Sequence, residues 1–134
     1  MTNGNPEEEY KDVSDNIRYY GSMRFVLLTL FATLSATIMA ALFLSSTPPP
    51  PPTKAVLKIL GLVVALAFGF MDQRTSEYWS TFWIRATELE TKLNYSQYKA
   101  RPHRRIMSIT NATRLLYFTM LVFWIIALAK PNWI

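Results

Sequence analysis

The side chains most able to do chemistry in this chain are gathered in one short run, NYSQYKARPHRR, from Asn94 to Arg105. Lys99, Arg101, Arg104 and Arg105 supply fixed positive charge there, and Tyr95, Tyr98 and His103 supply rings with polar tips. Cations interleaved with aromatics suit a phosphate-bearing ligand or the anionic headgroups of a membrane, where each basic residue contributes about 1 kcal/mol of attraction. Anionic lipid is the simpler partner for such a run. His103 is the only histidine and there is no cysteine, so multi-histidine metal centres, thiolate metal sites and disulfide frameworks are excluded. The carboxylates offer little more. Acid–base catalysis needs titratable groups that converge, yet Glu88 has Arg85 three residues before it and Lys92 four after it, the spacing of ion pairs on a helix surface. The apolar blocks carry no Asp, Glu or His, which argues against proton relays and intramembrane catalysis. No cofactor is implied, and the chain is expected not to be an enzyme.

The elements that must position these residues follow from composition. At 134 residues, 51% hydrophobic and 17% charged, the chain is one domain by length with its apolar residues in blocks. The net charge of +5 does not point to nucleic acid, because the basic residues flank apolar segments instead of sharing one compact surface. The start, MTNGNPEEEYKD, is acidic where a secretory signal is basic, and the first apolar block is too long for a signal's hydrophobic region. No cleaved leader is expected.

The blocks predict an all-α polytopic membrane protein with three transmembrane helices, the second extended into a long cytoplasmic helix. Residues 1–24 form a tail with a short surface-lying helix, capped by Asp12 or Ser14 and carrying Val13, Ile17 and Tyr20 on one side. Residues 25–45 hold no charge and are long enough to span. Residues 46–53 make a stiff external turn around the polyproline run Pro48 to Pro52. The stretch 54–94 is apolar from Ala55 to Met71, with Lys54 and Lys58 placed to snorkel, and mixed in character beyond Asp72. As one helix it would be about 60 Å long, twice the hydrocarbon thickness of a bilayer. Residues 95–114 form a basic segment broken at Pro102, and 115–130 a third span, short unless ITNATR joins it with Arg114 snorkelling. Residues 131–134 are an external tail.

Three faces stand out. Thr29, Thr33, Thr37 and Ala41 recur every four residues on the first span, and Gly61, Ala65 and Gly69 do so on the second. Small faces permit close backbone approach in lipid, so these two are expected to pack against each other, although the hydroxyl face could equally line a narrow wet path. Trp79, Phe82, Ala86, Leu89 and Leu93 alternate spacings of three and four, the pattern of a helix seam. About two heptads are too few to stand alone, so the stripe must meet another subunit, the N-terminal helix or residues 95–105. A seam between subunits is the expectation; the alternative lays Tyr78, Trp79 and Trp83 in the membrane interface. Orientation follows from Lys and Arg: Lys11, Arg18, Arg24, Arg74, Arg85, Lys92, Lys99, Arg101, Arg104, Arg105 and Arg114 oppose Lys54, Lys58 and Lys130, eleven against three. That places the N-terminus and the loop from Asp72 to Arg114 in the cytoplasm and the C-terminus outside.

The combination YYGSMRFVLLTLF, MDQRTSEYWSTFWIRATELETKLNYSQY, RP and TNATRLLY resembles a group of small bacterial three-span membrane proteins of unassigned function, over most of the chain. It is also loosely similar to the SLATT group of bacterial defence effectors, two-span proteins with a cytoplasmic helix that are thought to permeabilise membranes. The third span departs from that pattern. The resemblance implies a bacterial inner-membrane location and carries no functional residue over. Two functions are expected on these grounds: a self-associating protein that forms or gates a permeation path, or an accessory subunit docked on a larger membrane complex. The partners would be the bilayer, its anionic lipids and other protein subunits, with no nucleic acid.

Overall fold

The structure is a computed structural model that describes residues 5–100 and 109–130. Its regular elements are three helices, α1 (Pro6–Phe43), α2 (Pro51–Leu93) and α3 (Ile109–Ala129), and no strand occurs among the described residues. All three are long and apolar enough to cross a membrane. Large side chains such as Phe25, Leu30, Val63, Phe70, Phe118 and Ile125 stand exposed on them, as a lipid-facing surface requires.

α1 is one helix of 38 residues, about 57 Å at 1.5 Å per residue. The expectation of a separate surface-lying entry helix is corrected: nothing between Asp12 and Arg24 stops a helix, and Val13, Ile17 and Tyr20 find partners along α2 instead of a headgroup layer. Its start is well specified. Asn5 accepts a hydrogen bond from the Glu7 amide at 3.1 Å, Pro6 occupies the first turn without a missing partner, and Glu7, Glu8 and Glu9 face the positive end of the helix dipole.

α2 begins earlier than the proline run suggests. Pro51 and Pro52 sit in its first turn, where a missing amide hydrogen costs nothing, and Pro50 is the flanking residue. α2 then continues for 43 residues to Asn94, whose left-handed backbone (φ 60°) ends it, a conformation asparagine tolerates better than most residues. α3 starts at Ile109, so the ITNATR segment does join the third span.

Two separate cores hold α1 and α2 antiparallel. Near the turn, Phe31, Ile38 and Leu42 of α1 meet Ala65 of α2 and Tyr117, Trp124 and Ala127 of α3. At the polar end, Val13 and Ile17 of α1 meet Ala86 and Leu89 of α2 and Tyr98 beyond it, with Tyr20 stacked on Tyr78 and Phe82. Lys58 does not snorkel. It is buried, and its ammonium donates to the Ala127 carbonyl at 2.9 Å, one of the carbonyls that the end of α3 leaves unpaired.

Candidate functional site

Between the two cores lies the most polar buried spot that the three helices share. Arg24 is 19 residues before the end of α1 and Asp72 is 21 residues after the start of α2, so antiparallel helices bring them to nearly one level. Arg24 Nε donates to Asp72 Oδ1 at 3.1 Å, with the two side chains only 11% and 2% exposed. The remaining edges of the guanidinium reach α3: one Nη donates to Thr110 Oγ1 at 3.1 Å and the other to Thr113 Oγ1 at 3.3 Å. The Thr113 hydroxyl, whose one proton is shared, lies 3.4 Å from Asp72 Oδ2 and 3.1 Å from the Thr110 carbonyl. A buried ion pair is tolerable only when such secondary bonds satisfy its remaining donors and acceptors. Here one arginine ties together all three helices.

Comparison with protein-family models, with curated proteins and with solved structures finds no match. The chain's own geometry is therefore what its function must be read from. Both oxygens of Asp72 are engaged, so it is held as an acceptor and not presented as a base. No group of three or more His, Cys, Asp or Glu among the described residues could hold a metal ion.

A second carboxylate is held differently. Glu90 is completely buried at the polar end, where its oxygens accept from the backbone amides of Tyr98 at 2.7 Å and Lys99 at 3.1 Å and from the Tyr10 hydroxyl at 3.1 Å. It folds the chain after Asn94 back over α2 and binds it to α1. Burial, and then the Glu90 carboxylate beside it, push the Tyr10 phenol up to about 12. Of the two local pairs expected around Glu88, the one with Arg85 forms, at 3.0 Å, and the one with Lys92 does not; Arg85 also bridges to Glu9 of α1 at 2.6 Å.

The small-residue faces are placed otherwise than expected. Thr29, Thr33, Thr37 and Ala41 are exposed on the outside of α1, and each threonine hydroxyl donates to the carbonyl four residues earlier in its own helix, at 2.8 to 2.9 Å. The face does not pack on α2 within the chain. Larger residues took the inner side because Leu27, Phe31, Ile38 and Leu42, with Ser35, fill the space between α1, α2 and α3. The complementary face of α2 receives α3 instead: a Cβ built on Gly61 would lie inside the indole of Trp124, and one on Gly69 would rest 3.9 Å from Tyr117 Cβ. Ala65, between them, is buried in the shared core.

The stripe expected to join subunits is covered from within. Ala86 and Leu89 are buried at 0% and 1% exposure by Val13, Ile17 and Tyr98, and Trp79 and Phe82 pack against the same cluster. Leu93 is half-buried at its edge. The N-terminal segment that was expected to lie on the membrane surface is thus the partner the stripe needed. Of the basic run, Lys99 is exposed apart from its amide, and Arg101, Arg104 and Arg105 lie outside the described residues.

Sequence reasoning missed Arg24 with Asp72, and Glu90. A signal for the first existed: an antiparallel hairpin folded at the proline run puts an arginine and an aspartate at the same distance from the turn. Glu90 gave none, because two of its partners are backbone amides of a segment without periodicity and the third is a tyrosine 80 residues away.

Proposed function

We propose that the chain is a non-enzymatic integral membrane protein that associates with copies of itself through the outer face of α1. One observation carries this reading. On a helix of 3.6 residues per turn, Thr29, Ala32, Thr33, Ala36 and Thr37 centre on the side opposite the inward Leu27, Phe31, Ser35, Ile38 and Leu42. Helix association in lipid favours small residues at the contact, and here the small face is left open by the fold of the single chain. The threonine hydroxyls spend their protons on their own backbone and retain acceptor capacity, which suits the wall of a permeation path formed between copies.

In this reading the protein sits in a bacterial inner membrane. The eleven-to-three excess of basic residues puts the N-terminus and the polar halves of α1 and α2 in the cytoplasm, with the proline turn and C-terminus outside. The paired polar halves form a closed cytoplasmic stalk, and Lys99, Arg101, Arg104 and Arg105 contact anionic headgroups. A second reading, an accessory subunit docked on a larger membrane complex, draws support from the stalk seam being filled internally, which leaves only a bilayer face for association.

The chain has no cysteine, so single cysteines separate the two. Ala36→Cys should give a disulfide-linked dimer when membranes are oxidised, whereas Val63→Cys, exposed on α2, should not. If Ala36→Cys stays monomeric while the protein purifies with a larger complex, the accessory reading replaces self-association.

A further inference from the structure

Between the two places where α3 is fastened to α2, Trp124 on Gly61 and Thr113 on Asp72, the helices stand apart and leave a groove of about 210 Å³. It exists because Ala65 and Gly69 contribute no bulk to its floor. Its walls change character with depth. On α2 they run from Gln73 through Phe70 to Leu66, and on α3 from Arg114 through Phe118 to Leu121. Seven residues of helix make this gradient about 10 Å long.

The polar end has a net positive charge. The carboxylate of Asp72 in the wall is already paired with Arg24. Arg114 is exposed and enters no ion pair among the described residues. A groove with a free guanidinium at the boundary and aliphatic and aromatic walls below it matches a molecule with an anionic phosphate above and a hydrocarbon chain beneath. The volume lies below that of a site enclosing a whole small molecule, so it takes the glycerol region and the upper part of one chain and leaves the rest in the bilayer.

We propose that the α2–α3 groove is a binding site for one anionic phospholipid, its phosphate on Arg114 and one acyl chain between Phe70 and Phe118. The site rests on the reading that this part of the chain lies in a bilayer with Arg114 at its boundary, and it is distinct from diffuse attraction by the basic run. Self-association through α1 does not enter it, because the groove lies on the α2–α3 side.

The test is lipid retention by the full-length protein in mild detergent, read by native mass spectrometry with phosphatidylglycerol and phosphatidylcholine offered in equal amounts. The wild type should keep one phosphatidylglycerol in preference to phosphatidylcholine. Arg114→Gln should lower that preference about fivefold, the factor corresponding to the ~1 kcal/mol of one basic contact, and Arg74→Gln, an arginine off the groove, should leave it unchanged. Gly69→Leu, whose Cβ meets nothing closer than 3.9 Å, should fill the groove and remove retention of both lipids. Soluble glycerol phosphate should not compete.

Equal retention of the two lipids by the wild type, equal losses from Arg114→Gln and Arg74→Gln, or full competition by glycerol phosphate would each overturn the proposal. Should Gly69→Leu not fold, Arg114→Gln alone decides. Flotation of the wild type with phosphatidylcholine vesicles, which lack the anionic lipid, tests the membrane reading separately. Failure there sinks that reading, and success with no lipid preference sinks only the groove.

Discussion

Replacing Asp72 by Leu should be among the most damaging single changes in the protein, and the junction geometry sets the size of the effect. The substitution leaves the Arg24 guanidinium, 11% exposed, with the Thr110 and Thr113 hydroxyls as its remaining side-chain partners among the described residues. Removing one partner of a buried pair costs about 3 to 5 kcal/mol, because the surviving charge stays buried without compensation. That is a large share of the ~5 to 15 kcal/mol that holds a typical domain together. Arg24→Met should cost a similar amount by leaving Asp72, 2% exposed, unpaired. The double variant removes both charges, so it should cost far less than the two single changes combined. Reversible unfolding in detergent micelles, followed by tryptophan fluorescence, gives all three values and hence the coupling between the two residues. Single changes costing under about 1 kcal/mol each, and adding up in the double variant, would show that the pair behaves like a solvent-screened surface bridge and that the junction does not organise the fold.

Three further changes probe the packing. Gly61→Leu should destabilise the protein by about 1 to 3 kcal/mol or displace α3 outright, because the Trp124 ring it meets is fully buried and cannot withdraw; Gly69→Leu should cost much less, and thermal unfolding in detergent compares them. Leu89→Ala should cost about 2 to 5 kcal/mol and Leu93→Ala markedly less, with no change in oligomer size by light scattering, since Leu89 is buried within one chain. The fold holds Tyr10 as the neutral phenol, so its contribution is intact below pH 10, the unfolded value, and fades as pH rises towards 12. The ultraviolet difference titration between wild type and Tyr10→Phe should accordingly centre near 12; a midpoint at 10 would mean that the contact with Glu90 is not made.

The all-helical architecture and the three candidate spans were legible because each rests on composition within a single segment. A charge-free run reads as a span whatever surrounds it, and the length of α2 follows from the lack of any stop signal between Pro52 and Asn94. What could not be read is which faces meet. The four-residue repeats of Thr29, Thr33 and Thr37 and of Gly61, Ala65 and Gly69 look complementary, but repeat spacing says only that a face is narrow. It does not say which helix arrives there. Trp124 fills Gly61 because α3 brings one flat, rigid ring to a position where α2 has no side chain, and no pattern local to either helix announces that. The stripe from Trp79 to Leu93 was recognisable as a surface in need of a partner. The spacing admits the N-terminal helix as that partner beside another subunit, but Val13 and Ile17 sit among acids, in a segment that reads as a helix lying on the membrane surface, so the subunit seam is the expectation.

Charge at the junction explains why the outer face of α1 is available at all. α1 is unbroken from Pro6 to Phe43, so all its residues share one rotation about the helix axis. Arg24, bonded to both α2 and α3, fixes that rotation at the boundary between the two cores. Val13 and Ile17 then face the polar half of α2, and Phe31, Ile38 and Leu42 face its apolar half. With those positions committed inward, Thr29, Thr33 and Thr37 have nowhere to point but out. Their exposure therefore follows from the single rotation of α1 that the Arg24 junction and the two cores share.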